Sequence, residues 1–139
     1  MSYRKVSNTE NKPFDMEKII KTYRSSSEPC PIRDVLDRIG DKWSTLIILI
    51  LSEEGTLRFN QLHQAIGDIS QKMLTVTLKT LQEDGLVSRK MYPEIPPRVE
   101  YTLTETGESL VPYIQSLAEW ASKNMTGIKR SRKQHTAAI

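Results

Sequence analysis

The stretch from Ser70 to Leu86, SQKMLTVTLKTLQEDGL, limits the chain most. Ser70 is a good helix N-cap, because its hydroxyl can take a free backbone N–H of the first turn. Leu74, Leu78 and Leu81 then recur at i, i+4 and i+7, the spacing of one helix face, with Met73 and Thr77 beside it. The opposite face carries Lys72, Thr75, Val76 and Lys79. Asp84-Gly85 closes the segment, with Gly85 suited to the left-handed position after a helix end. One side must be buried. The other offers cations for phosphates and short polar or methyl groups for base edges, the mixture that a helix in a DNA major groove needs. A solvated amphipathic helix would show the same periodicity, so the neighbouring segments must decide.

Upstream, Gly67-Asp68-Ile69 makes a tight turn into this helix, and a short helix from Asn60, carrying Leu62, Ala65 and Ile66, precedes the turn. Helix, glycine-containing turn and second helix with a cationic outer face read as a helix-turn-helix. Before it, Thr56 to Phe59 is a short strand candidate. The run Leu46 to Leu51 is apolar on every side. Six such residues could form a buried strand, but Asp41 and Ser44 in front and Glu53-Glu54-Gly55 behind suit helix ends. A helix from about Lys42 to Glu53, wrapped in apolar residues, is expected to be the central core helix. Pro31 fits the first position of a further helix reaching Ile39, which puts Cys30 at its N-cap and Gly40 at its end. Residues 1–28 are polar, with Asp15 placed to cap a short helix that carries Met16, Ile19, Ile20 and Tyr23. They are expected to form an arm.

After Gly85 the pattern changes to strands. Leu86 to Tyr92 carries Arg89 and Lys90, the prolines of 93–97 make a loop, and Arg98 to Leu103 alternates, with Val99, Tyr101 and Leu103 on one side. A basic hairpin directly after a recognition helix is the arrangement of a wing. Thr104 then caps a long helix to about Met125 with the apolar stripe Leu110, Ile114, Leu117, Ala118, Ala121 and Met125, in which Pro112 is expected to kink or restart the helix. The stripe needs a cover, either its own domain or the same helix of a second chain. The expected organisation is an arm over 1–28, a winged helix-turn-helix domain over 29–125 ending in a dimerisation helix, and a basic, disordered tail over 126–139. In class this is a mainly α protein with a small β-hairpin wing (α+β), extended by N- and C-terminal dimerisation helices.

Charge is informative only by location. The net charge is +3, but residues 126–139 hold four cations and no acid, leaving 16 cations against 17 acids, a net of −1, in the other 125 residues. Nucleic-acid binding therefore rests on local placement, not on overall charge. The single cysteine excludes an intrachain disulfide and suits a reducing compartment. The opening MSYRKVSNTENK lacks the apolar core of a secretory signal, and the longest apolar run is far too short to span a bilayer, so a cytoplasmic chain without a membrane role is expected. His63 and His135 have no partners at metal-ligand or triad spacing, and no glycine-rich phosphate loop is present. Neither an enzyme nor a cofactor or metal is expected.

These segments resemble the HxlR-type winged helix-turn-helix transcriptional regulators of bacteria. The resemblance is carried by CPIRDVLDRIGDKWSTLIIL, LRFNQLHQAIGDISQKMLTVTLKTLQEDGLVSRKMY, PPRVEYTLTETG, and the trailing Leu110, Pro112, Leu117 and Trp120, and it covers Cys30 to about Asn124. It implies a homodimer built through terminal helices on double-stranded DNA, with two recognition helices in successive major grooves of a palindromic operator. The implied base-facing positions are Ser70, Gln71, Lys72, Thr75, Val76 and Lys79. The implied phosphate-facing positions are Arg58, Asn60, Arg89, Lys90 and Arg98; Arg58 and Asn60 could instead cap the first helix of the motif. Some members sense oxidants or electrophiles through a cysteine at the position of Cys30, and a helix N-terminus suits a reactive thiol. A small buried cysteine of no regulatory use fits the same position. A winged helix used only for protein interaction remains the other reading of the near-neutral body.

Overall fold

The structure, a computed structural model, describes residues 14–24 and 30–138, without the side chains of residues 22 and 23. Most of the expected arm, 1–13 and 25–28, lies outside the described residues, as does the side chain of Tyr23. The chain divides into two compact units, residues 1–40 and 41–139.

The first unit contains helices α1 (Met16–Arg24) and α2 (Pro31–Ile39). Asp15 caps α1 as expected, its Oδ1 accepting from the backbone N–H of Lys18 at 3.2 Å. Pro31 starts α2 and Cys30 occupies its N-cap, with no side-chain capping bond. Cys30 and Ile39 are buried, whereas Ile32, Val35 and Leu36 are exposed.

The second unit contains α3 (Ser44–Glu54), β1 (Leu57–Arg58), α4 (Phe59–Ile66), α5 (Gln71–Glu83), β2 (Val87–Tyr92), β3 (Arg98–Leu103) and α6 (Glu105–Ala137). The apolar run at 46–51 is helical, because its front end is strongly capped. One carboxylate oxygen of Asp41 accepts from the N–H groups of Trp43 and Ser44 at 2.7 and 2.8 Å, and the other accepts from the Ser44 hydroxyl. Burial alone would raise the pKa of Asp41; these hydrogen bonds outweigh it and hold the carboxyl below its usual 3.8. Ile47, Ile48 and Leu51 of α3 are almost wholly buried, and α3 packs on α4, α5, α6 and β3. It is the central helix, although Leu46 faces outward.

The three strands form an antiparallel sheet in the order β1-β3-β2. Leu57 pairs with Tyr101 and Arg58 with Glu100 on one side of β3; Val87 pairs with Leu103 through to Tyr92 with Arg98 on the other. The alternation read in β3 holds. Tyr101 and Leu103 are buried, Val99 is half-buried, and Arg98, Glu100 and Thr102 lie on the other face.

Two expectations about α6 are corrected. Of the two outcomes expected at Pro112, a kink or a restart, the restart does not occur: the helix runs as one element of 33 residues, about 50 Å long. Pro112 is exposed, so the carbonyl that loses its donor there can face water. Nor is the segment after Thr126 disordered: the helix continues to Ala137. Low apolar content says that a segment builds no core, not that it cannot extend a helix already nucleated upstream. Lysine, arginine and glutamine are good helix formers, and cations suit the C-terminal end of the dipole.

Candidate nucleic-acid interface

Helix α5 is held at both ends by its own sequence. The Ser70 hydroxyl accepts from the N–H of Met73 at 3.0 Å, forming the expected cap. At the far end Asp84 is the C-cap and Gly85 has φ of +71°, a region that favours glycine. The N–H of Leu86 bonds to Leu81 O at 2.9 Å and that of Gly85 to Gln82 O at 3.0 Å, a complete Schellman closure. Between these ends Leu74, Leu78 and Leu81 are sealed into the core. Thr77 is buried with them, its hydroxyl satisfied by Met73 O at 2.7 Å. The rotation of the helix is thereby set. In the turn before it, Gly67 ends α4 at φ +90° and Ile69 is buried, which anchors the connection.

The consequence is a single outward face. Ser70, Gln71, Lys72, Thr75, Val76 and Lys79 are all exposed. Thr75 donates its hydroxyl proton to Gln71 O at 2.9 Å, so it presents lone pairs and a methyl outward. Val76 adds two more methyls and Gln71 an amide. The two lysines stand about 10 Å apart along the axis, and among the described residues nothing pairs with either. Met73, placed by periodicity beside the apolar face, is 44% exposed and joins this surface. Its direction depends on how deep α5 sits, which periodicity alone does not tell.

The phosphate candidates separate into two groups. Arg58, Asn60, Arg89 and Lys90 are exposed. Arg58 is the N-cap residue of α4, but the bond there uses its main chain: its backbone N–H donates to the side chain of Gln61 (Oε1) at 2.8 Å, and the exposed guanidinium is not spent on the cap. Arg98 differs. Its side chain is 29% exposed, with Nη2 3.3 Å from Glu94 and Nε 3.1 Å from Glu100, and its guanidinium lies 3.9 Å from the centre of the Tyr92 ring. Sequence reading overlooked Tyr92, Glu94 and Glu100; the signal available was the hairpin register, which sets Tyr92 opposite Arg98. Cys30 is 5% exposed. Among the described residues no cluster of histidine, cysteine and carboxylates is placed to hold a metal ion, and no helix is long and apolar enough to cross a membrane.

The profile of the HxlR-like helix-turn-helix family matches residues 38–129. The chain belongs to the HxlR-like helix-turn-helix family. Its curated relatives include YtfH of Escherichia coli strain K12, an uncharacterised helix-turn-helix-type transcriptional regulator. YtfH is 40% identical over 111 residues, 80% of this chain and 87% of the relative. An uncharacterised regulator of the same type from Methanothermobacter thermautotrophicus is 45% identical over 91 residues, 66% of this chain and 69% of its own. Among solved structures, the redox regulator HypR in its reduced form is 37% identical with a TM-score of 0.68, covering 72% of this chain and 98% of that one. The reduced form of the transcriptional regulator YodB from Bacillus subtilis is 38% identical with a TM-score of 0.60, covering 67% and 90%. This HxlR-family protein is a winged-helix transcriptional regulator, in a family of regulators and not enzymes. In it α4 and α5 are the helix-turn-helix and β2–β3 the wing.

Proposed function

We propose that this HxlR-family protein binds double-stranded DNA sequence-specifically as a homodimer on a palindromic operator, and that Cys30 gates the binding. Helix α5 enters the major groove, with Ser70, Gln71, Lys72, Thr75, Val76 and Lys79 toward the bases. Arg58, Asn60, Arg89 and Lys90 meet phosphates. The observation that carries the reading is the division of α5. Its leucines are sealed in the core while every expected base-facing side chain is exposed on one face between two firmly closed helix ends. Two such helices across a two-fold axis would meet half-sites about 34–36 Å apart, one helical turn.

The dimer reading is supported by uncovered apolar surface at both ends of the chain. Tyr113, Leu117 and Trp120 follow one another at helical spacing on α6 and are 73%, 63% and 56% exposed, while Val111 and Ile114 are covered. On α2, Ile32, Val35 and Leu36 are exposed. Gating through an oxidant or electrophile is supported by the N-cap position of Cys30 and by the likeness to HypR and YodB. Its burial means that reaction requires the thiol to be uncovered first.

The test is binding to the DNA upstream of the protein's own gene, against a scrambled duplex at matched salt, before and after diamide, in wild type and Cys30→Ser. Specific binding lost on oxidation only in wild type is expected. Equal affinity for both duplexes would remove the sequence-specific reading, and specific binding indifferent to diamide would remove the gate. Lys79→Ala distinguishes contact types: a phosphate contact lowers affinity for every sequence and cuts the salt slope by about 1, whereas a base contact relaxes one operator position.

A further inference from the structure

The face of the wing that carries Lys90 is organised around one arginine. Tyr92 pairs directly with Arg98 across the hairpin, and Lys90 with Glu100. Directly opposed residues of an antiparallel pair point to the same face, so these four side chains share one surface. Glu100 also pairs with Arg58 of β1. Arg98 binds to the rest in three ways. Its guanidinium stacks over Tyr92 at 3.9 Å, Nη2 reaches Glu94 in the tip loop at 3.3 Å, and Nε lies 3.1 Å from Glu100 Oε1. That Nε is buried and its N–H is not aimed to make a proper hydrogen bond, so the contact with Glu100 is an ion pair held by position. Lys90 Nζ lies 4.9 Å from the centre of the same Tyr92 ring.

We propose that Arg98 is a positioning residue of the wing and not a DNA contact: with Tyr92, Glu94 and Glu100 it forms a latch that fixes the tip loop and aims Lys90. The inference rests on the DNA-binding reading above. The chemistry requires arginine. A planar guanidinium can stack on a ring while its edges meet two carboxylates, which a lysine ammonium cannot do. A cation already facing two carboxylates has little to offer a phosphate, since it would have to break those pairs first. Among the described residues Lys90 has only the ring beside it and the cross-strand acid, and it is exposed. The latch closes the five-residue tip at its base through Glu94 and Arg98, so the wing reaches DNA with its shape already set and loses less freedom on binding.

The experiment uses the full chain and the operator duplex that wild type binds. Arg98→Ala, Arg98→Lys and Tyr92→Leu are compared by affinity, by the dependence of affinity on salt, and by thermal unfolding. A latch gives a loss of about fivefold in all three, with the salt slope of wild type, because no phosphate contact is removed. Arg98→Lys does not rescue, Arg98→Lys with Tyr92→Leu is no weaker than either alone, and the unfolding midpoint stays near that of wild type. If Arg98→Ala cuts the salt slope by about 1 and Arg98→Lys restores the affinity, Arg98 is a phosphate contact and the proposal is wrong. A fall in unfolding midpoint large enough to account for the lost binding overturns it equally. Amide exchange at Glu94 and Ile95 in the free protein reads the latch without DNA. It is faster in Arg98→Lys if the latch exists, and unchanged exchange refutes it even if wild type proves to bind no operator, an outcome that separately removes the DNA reading.

Discussion

Alanine in place of glycine should have opposite effects at two positions of the same helix. Gly107 lies in the first turn of α6 and is buried. A Cβ there would stand 2.1 Å from Leu86 O, 3.1 Å from Leu86 C and 3.2 Å from Leu103 Cδ2. Cβ atoms essentially never come within 3.0 Å of another heavy atom, so backbone must move by about 1 Å. The backbone that must move is already committed. Leu86 O accepts from Thr104 N at 3.0 Å, the Thr104 hydroxyl donates to Gly85 O, and the hydroxyl oxygen of Thr104 accepts from Gly107 N at 3.1 Å. Overpacking costs about 1–3 kcal/mol, and a broken part-buried hydrogen bond about 1 kcal/mol. Against this, alanine gains about 1 kcal/mol in helix propensity. The net expectation for Gly107→Ala is a destabilisation of about 1–3 kcal/mol. Gly127, twenty residues further along α6, has nothing within 4 Å of its would-be Cβ, so Gly127→Ala keeps the propensity gain alone and firms the end of the helix by up to about 1 kcal/mol. Urea unfolding followed by far-UV circular dichroism checks the first, and amide exchange over 120–137 the second. Because Leu86 joins α5 to β2, Gly107→Ala should also weaken DNA binding in the folded fraction. An unfolding midpoint for Gly107→Ala at or above wild type would refute the steric argument, since propensity would then be the whole effect.

Other expectations follow from single observations. The lowered pKa of Asp41 means that its cap stabilises the fold above the unfolded value of 3.8 and loses that contribution as pH falls through the lower folded value; the gap in urea midpoint between wild type and Asp41→Asn should be widest near neutral pH and close below 3.8. Leu117→Glu or Trp120→Glu should raise the dimer dissociation constant at least tenfold, about 1.4 kcal/mol, by sedimentation velocity, with the fold retained by circular dichroism because both residues are exposed in the single chain; an unchanged mass would place the interface elsewhere. Cys30, at 5% exposure, should react with a thiol reagent far more slowly in the native protein than in urea, and equal rates would mean that the thiol is not covered as described.

Much of this architecture was legible because local chemistry and tertiary role coincide in it. Ser70, Gly85, Thr104 and Pro31 each mark a helix end by a bond or dihedral that the residue itself supplies, and the elements begin or close there. Helix α5 is the clearest instance: one side had to be leucine for the core, so the residues on the other side were free to be polar, and sorting the two needed only the 3.6-residue period. The far end of α6 departs from the expected disorder because composition reports on core formation, and this helix extends past the core on propensity and an existing nucleus.

The remaining gap, at the wing, has a different cause. In the sequence Arg98 stands with Arg89 and Lys90 because charge there is read one residue at a time, whereas the state of a cation depends on what faces it across the sheet. With Tyr92 and Arg98 set opposite one another by the hairpin, Glu100 falls opposite both Lys90 and Arg58, and Glu94 is near enough to reach Arg98 from the tip. One pairing thus converts an apparent row of free cations into two exposed ones on opposite faces, Arg89 and Lys90, and a compensated arginine on the Lys90 face. The register itself is the step that periodicity does not supply, since an alternating strand fits either neighbour in several alignments until the turn is known. Charge counts along a hairpin therefore overstate its phosphate contacts wherever carboxylates already hold one of its cations, as Glu94 and Glu100 hold Arg98, and in this wing the salt dependence of binding should report fewer contacts than the number of basic residues in β2 and β3.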